Sequence, residues 1–475
     1  RSWTLISHLI METRTSAWPA SRPFMPLDIL LHIFEMGTLH SLDVEDRMEF
    51  PLLVSQVNTT WRTLALNSSR LWASIVYKGF PKFVLTPVML TKQKLKVNPH
   101  GLFYYPLIAL FLQRSRAQPL DIHIDIRDPH HDYTVREVDV SGLGHPMDTL
   151  LHLLTPYAFR LRGFHFITNT WIDGGAETAG LFGPVVQKKW PNVKHVVLSG
   201  TAVQWRLWCL PNLESLTLTF LAHDARPSSS EFRSMLQSVA HSLIYLDLQG
   251  STPVDDTNEL QTERERLDPI QLPALGSLCL GYAEPDHLHW IIQSINTPSI
   301  VSLEFRDLWE CYKDFCQEIE QFSQDNMHDT IRDASSLFGM IMAHMPFNLR
   351  GLRHLTLRYV KLQPCLIDSL SVPALDGVAI PPERFLSSLP VLHTLTLEKT
   401  DFEQVAISIF HNPERVTKHA LKVFNVDSCY PWRVGYVNPG REQVARETYE
   451  GMNFPASSIE MLPGELHTSQ GDMIS

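Results

Sequence analysis

One short stretch holds the residues with the chemistry of a metal site. His123, Asp125, Asp128, His130, His131 and Asp132 offer imidazole and carboxylate ligands that suit zinc or a heavier first-row ion. Their setting argues against that use. His123 belongs to the alternating run Leu120-Asp121-Ile122-His123-Ile124-Asp125-Ile126, whose period of two predicts a half-buried strand. Asp128-Pro129-His130-His131-Asp132 has the composition of the polar turn that follows such a strand. The six cysteines, at 209, 279, 311, 316, 365 and 429, include no Cys-x-x-Cys pair. Cys311 and Cys316 are five apart, a spacing that does not align them on one helix face. The sequence contains no nucleophile elbow, dinucleotide fingerprint, phosphate-cradling Gly-x-x-x-x-Gly-Lys or His-Glu-x-x-His. The expectation is a protein that is not an enzyme and holds neither metal nor cofactor.

Composition sets the remaining bounds. The 475 residues are 44% hydrophobic and 19% charged, enough for two or three globular domains with a large core. A net charge of -11 gives no nucleic-acid surface, and Lys92, Lys94 and Lys96 form the one short basic cluster. The apolar stretch from Gly101 to Gln113 is interrupted by Pro106 and is too short to span a bilayer. Scattered cysteines fit a reducing compartment, so a cytoplasmic or nuclear location is expected. The chain starts at Arg1 rather than Met, which leaves a preceding targeting segment open.

The elements that organise the chain begin at Met25. Pro26 suits a first helical position and Asp28 faces the positive end of the helix dipole, so a helix starts here. Ile29, Leu30, Ile33 and Phe34 are read as one apolar stripe on it. A second helical run, from Leu52 to Leu66, puts Val54, Val57, Trp61 and Leu64 on a shared face, and the stretch ends at Leu71-Trp72-Ala73-Ser74-Ile75. A helical unit of roughly fifty residues buries little of its own apolar surface, so residues left over on it are interface candidates.

Three blocks in order, Pro-x-x-Ile-Leu-x-x-Ile-Phe from Pro26, Leu-Leu-x-Ser-x-Val-x-x-x-Trp-Arg-x-x-Ala from Leu52 and Leu-Trp-x-x-Ile from Leu71, resemble the F-box in the form common in fungi. One departure is Asn58, where a Cys often follows the Val. The resemblance implies a three-helix unit that binds the Skp adaptor of SCF-type cullin-RING ubiquitin ligases. The residues it nominates for adaptor contact are Pro26, Leu27, Ile29, Leu30, Ile33, Val54 and Val57, with Trp61 and Trp72 anchoring the helices.

Downstream, Pro106 to Leu112 reads as a helix ahead of the Leu120 strand. From there the phrase apolar-x-x-apolar-x-apolar recurs, as in Leu161/Phe164/Phe166, Leu213/Leu216/Leu218 and Leu243/Leu246/Leu248. Ten such blocks, ending with Leu375/Val378/Ile380, Leu392/Leu395/Leu397 and Leu421/Phe424/Val426, mostly recur at the spacing of leucine-rich repeats. Helical candidates between them include Met147 to Ala158, Glu231 to Ala240, Asp286 to Ile295, Ala334 to His344 and Glu403 to Phe410. The Asn that usually follows the repeat strand is missing, and Thr201, Ser251 and Thr400 stand there in some copies.

The expected fold class is α/β, with an N-terminal three-helix F-box followed by an irregular leucine-rich-repeat-like solenoid whose parallel sheet lines the concave face. The expected division is a tail over 1-24, the F-box over 25-77, a connector over 78-118, the solenoid over 119-437 with an insertion at about 306-345, and a C-terminal tail over 438-475. The function implied is a substrate receptor that binds the Skp adaptor, through it a cullin, and a target protein through the repeats, with no nucleic acid or membrane partner. The alternative is a repeat scaffold that docks an adaptor without assembling a ligase.

Overall fold

The computed structural model describes residues 25-39, 46-78, 105-127, 144-168, 190-221 without 202 and 209, 225-253, 268-308 without 284, then 334, 337, 341, 348-360, 389-400 and 423-427. The tail over 1-24, most of the 306-345 insertion with Cys311 and Cys316, the Glu403 to Phe410 helix, the Leu375 block and the tail over 438-475 lie outside these residues. The chain divides into two compact units, one of residues 1-76 with 106-120, the other of 77-105 with 121-475.

The first unit contains α1 (Leu27–Leu39), α2 (Asp46–Val57), α3 (Thr59–Asn67), a 3-10 turn (Ser69–Trp72) and α4 (Pro106–Arg114). The run from Leu52 to Leu66 is therefore not a single helix. Asn58 separates α2 from α3, with extended backbone and a side-chain oxygen that accepts from Trp61 N at 2.8 Å, an N-cap. The position that departs from the F-box pattern thus carries a capping residue, and it is exposed.

In the second unit, strands follow one another in a single sheet whose pairs from β3 to β13 are parallel. They are β2 (Leu120–Asp125), β3 (Leu161–Ile167), β4 (His195–Ser199), β5 (Ser215–Thr219), β6 (Tyr245–Gln249), β8 (Ser277–Tyr282), β10 (Ser302–Asp307), β11 (His354–Arg358), β12 (Thr394–Glu398) and β13 (Val423–Asp427). β1 (Ser74–Lys78) precedes them, and the two-residue strands β7 (Ile270–Gln271) and β9 (Ile295–Asn296) pair with each other. From β3 to β13 the register has no offset. Phe164, Val196, Leu216, Leu246, Leu278, Leu303, Leu355, Leu395 and Phe424 stand side by side. Nine of the ten sequence blocks therefore coincide with strands, and β11 pairs directly with β12 across the Leu375 region.

The alternation that marked these strands is the cause of the layering. Leu216 and Leu218 are buried while Ser215, Thr217 and Thr219 are half-buried on the opposite face, and β12 repeats this with Leu395 and Leu397. Helices cover the apolar face. α5 (Gly144–Leu154) precedes β3, α6 (Ser229–Val239) precedes β6 and α7 (His289–Ser294) precedes β9. α6 opens with a reciprocal capping box between Ser228 and Glu231, and buries Phe232, Met235, Leu236 and Val239, one stripe at helical spacing.

Strand ends solve the missing-Asn problem in another way. The residue after the strand takes left-handed backbone at Gly200, Phe220, Gly250, Tyr359 and Lys399. The next residue turns inward, and at Ser251 and Thr400 its hydroxyl bonds backbone. Thr400 Oγ1 donates to Leu357 O at 2.8 Å, while Ser251 Oγ donates to Gln249 O at 3.1 Å and accepts from Leu221 N at 3.4 Å. These hydroxyls tie adjacent repeats together as the Asn side chain would.

At Gly200 an added Cβ would also run into the Thr168 carbonyl oxygen, so two penalties coincide there. Gly200→Ala is expected to cost about 1 to 3 kcal/mol and lower the melting temperature. A thermal melt that matches the parent protein would show that this strand end has other room to move.

Candidate functional site

The first unit fills its interior from α1, α2 and α3. Phe34 packs edge-on to Phe50 at 6.4 Å and to Trp61 at 5.0 Å between ring centroids. Gly37 lets the Phe50 ring approach, since a Cβ there would lie 2.5 Å from Phe50 Cζ. Trp72 is fully buried, donates its indole N–H to Ala65 O at 2.9 Å and meets Phe111 edge-on at 4.9 Å. The Arg114 guanidinium stacks over the Trp72 ring at 4.4 Å, and burial lowers its pKa. α4, expected within a connector, therefore folds with the first unit because Trp72 needs its far side covered.

The stripe read on α1 splits in two. Leu30 and Phe34 point inward with Thr38, whose hydroxyl is satisfied by Phe34 O at 3.0 Å. Ile29 and Ile33 point outward, and with Leu27, the first residue of the helix, they keep 45–49% of their surface exposed. Pro26 is exposed, and so is Val57 at the end of α2. Leu30 at 7% and Val54 at 2% exposure lie in the core. These two are corrected from surface to interior. Helix geometry gives the reason, since Leu30 is one residue from Ile29 and points about 100° away from it.

Met25 and Met36, missed by the sequence reading, join the outward group with nearly half of each exposed. The signal was present for Met36: 29, 33 and 36 fall at spacings of four and three, a single helix face, while Met25 lies two residues ahead of the helix. Flexible thioethers beside branched Ile side chains make a surface able to fit an apolar partner. Beside this face, Glu35 pairs with Arg70 at 3.1 Å.

The second unit presents polar side chains on its open sheet face. Asp247 accepts from Gln249 Nε2 at 3.0 and 3.1 Å and lies 3.3 Å from the Tyr245 hydroxyl. Arg306 donates to Gln249 at 3.0 Å and to Glu304 at 2.7 Å, Arg358 Nε lies 2.7 Å from Glu304, and Arg358 also pairs with Glu398. Burial pushes the Asp247 carboxyl upward, against hydrogen bonds from Gln249 and Cys279 and the charge of Arg306. Burial likewise raises the Cys279 thiol, aided by the charges of Asp247 and Glu304, which leaves it a poor nucleophile at neutral pH.

The stretch considered for a metal is only partly described. Burial alone would raise the Asp125 carboxyl, yet hydrogen bonds from the Arg127 guanidinium at 2.9 and 2.6 Å and from its backbone N–H outweigh that and hold it low. The His123 ring lies 5.4 Å from that of His165. Asp128, His130, His131 and Asp132 lie outside the described residues, among which no group of three or more His, Cys, Asp or Glu gathers as a metal cluster. Among these residues, also, no helix is long and apolar enough to cross a membrane.

No protein-family model and no curated protein matches the sequence. Among solved structures the chain is similar to the crystal structure of the Rad7 and Elc1 complex in yeast, at 11% identity and a TM-score of 0.38, covering 94% of this chain and 98% of that one.

The Asn58 cap is what separates α2 from α3, so its loss should be measurable. Asn58→Ala is expected to destabilise the protein by about 1 kcal/mol, and Asn58→Asp to restore most of it. Equal denaturant midpoints for all three proteins would remove the cap from the account.

Proposed function

We propose that this chain is an F-box-type substrate receptor of an SCF-type cullin-RING ubiquitin ligase, binding the Skp adaptor through the first unit and a target protein through the repeats. It supplies contact surfaces and no catalysis of its own, and it acts in the cytoplasm or nucleus. One observation carries the reading: α1 of a unit with the ordered three-block motif turns Ile29 and Ile33 outward, joined by the exposed Leu27, Met25 and Met36, although its core is already filled by Leu30, Phe34, Phe50, Val54 and Trp72. Exposing that much branched apolar surface on one short helix is costly unless a partner covers it. The sheet of the second unit, with its in-register polar face, supports a role for the repeats in holding a target.

Exposure separates two classes of variant. Ile29→Asp/Ile33→Asp places charge on the outward face alone, and is expected to weaken binding to purified Skp adaptor by roughly 2 to 4 kcal/mol, about thirty- to nearly a thousand-fold. Its melting temperature should match the parent within a degree or two, because surface changes rarely move stability by more than about half a kcal/mol. Leu30→Ala should do the reverse, costing about 2 to 5 kcal/mol of folding stability. Recovery of a cullin together with the adaptor in a pull-down supports the ligase reading, while adaptor without cullin supports the scaffold. A folded double-Asp variant that binds the adaptor like the parent would sink both.

A further inference from the structure

Among the described residues of the second unit, the large apolar side chains left exposed are Phe159, Ile244, Val301 and Val391, and all four sit just ahead of a strand, on the upstream rim of the sheet. Single exposed apolar residues are ordinary. Two of the four, Ile244 and Val301, also belong to one backbone row. Glu214, Ile244, Gly276, Val301, Arg353 and His393 form one row across six repeats, each N–H after the first donating to the carbonyl of the residue before it in the row at 2.8 or 2.9 Å.

Within that row Gly276 stands between Ile244 and Val301, and the place of its missing side chain is open, with Ile244 O as the nearest atom at 4.0 Å. The result is a shallow notch with apolar walls. The next places in the row are cationic or titratable. Arg353 and His354 are exposed, and the His354 ring lies 6.2 Å from that of His393. Residues 299-303, 348-355 and 389-395 contain no Asp or Glu, and Arg353 has no acidic partner among the described residues. At the other end Glu214 is taken by Lys194 at 2.6 Å, so the uncompensated charge is confined to one side of the notch.

We propose that this rim docks an extended segment of a partner protein that sets one apolar side chain into the notch over Gly276 and a pair of carboxylates against Arg353 and the His354/His393 pair. The row's own N–H groups are already bonded from repeat to repeat, so the segment cannot join as a further strand and is read by its side chains. Strands lie about 4.8 Å apart, so the basic group begins roughly 10 to 14 Å from the notch, a distance that three or four extended residues span. Charge complementarity sets the acidic requirement, and the open Gly276 position sets the apolar one. The surface is independent of adaptor binding.

The probe is a set of fluorescent twelve-residue peptides, each with one Leu and one Asp-Glu pair separated by one to six Gly/Ser residues, titrated with the full chain by fluorescence polarisation. Affinity should peak with two or three intervening Gly/Ser residues, which place the pair three or four extended steps from the Leu, and vanish when Asn-Gln replaces Asp-Glu. Gly276→Val, which fills the notch, and Arg353→Glu, which reverses the charge, should each weaken the best peptide by about tenfold or more. Both variants should still capture the Skp adaptor, which keeps failure of this surface distinct from failure of the receptor reading. If Gly276→Val lowers the melting temperature, Ile244→Asp tests the same wall from an already exposed position. Peptide binding that ignores the separation, no binding by any peptide, or folded variants that bind as the parent does would each overturn the proposal.

Discussion

The unshifted parallel register is the constraint on which the second unit depends. Because side chains alternate with a period of two, a one-residue slip on any strand would carry its leucines to the polar face and bring Ser, Thr or Glu into the core. Each repeat contacts chiefly its neighbours, so the penalty recurs at every interface and the register propagates along the sheet. The same alignment places Asp247, Cys279 and Glu304 in one row of the open face and Gln249, Gly281, Arg306, Arg358 and Glu398 in the next. Polar contacts that span several repeats, such as Gln249 with Arg306, exist because register fixes which residues are neighbours.

The helical unit answers to a different limit. With so few residues its interior accommodates only a handful of large side chains, and Phe34, Phe50, Val54, Leu71 and Trp72 occupy it. Further apolar residues on α1 have nowhere to go within the unit. The Phe50 ring against Gly37 and the Trp72 ring between Ala65, Phe111 and Arg114 fix the helices from two sides.

Much of the sheet was legible because its signal is repeated. Leu-x-x-Leu-x-Leu carries little meaning once, but the recurrence located β3 to β6, β8 and β10 to β13, and the alternation around His123 located β2. The strand-end hydroxyls at Ser251 and Thr400 were legible as replacements for Asn, though not the left-handed residues beside them, since Phe220, Tyr359 and Lys399 lack the glycine that usually marks such backbone. The candidate site was legible only in part. Periodicity identified the apolar positions of α1 and α2, but which side of each helix faces the core cannot be told without knowing how the helices pack, so Leu30 on α1 and Val54 on α2 were assigned to the wrong side. Asn58 was read as a departure from a motif, and its cap hydrogen bond depends on a break between helices that no hydrophobic pattern announces. The upstream rim was invisible, because Ile244, Gly276, Val301 and Arg353 become neighbours only once the strands are in register.

If the outward face of α1 is where the adaptor binds, calorimetry and hydrogen exchange on one sample will show it. Purified Skp adaptor titrated into the full chain should bind with a negative heat-capacity change, the mark of apolar burial. New amide protection should be concentrated in residues 25-39 and around Val57. Binding without a heat-capacity change, protection confined to the sheet, or no binding at all would contradict the account.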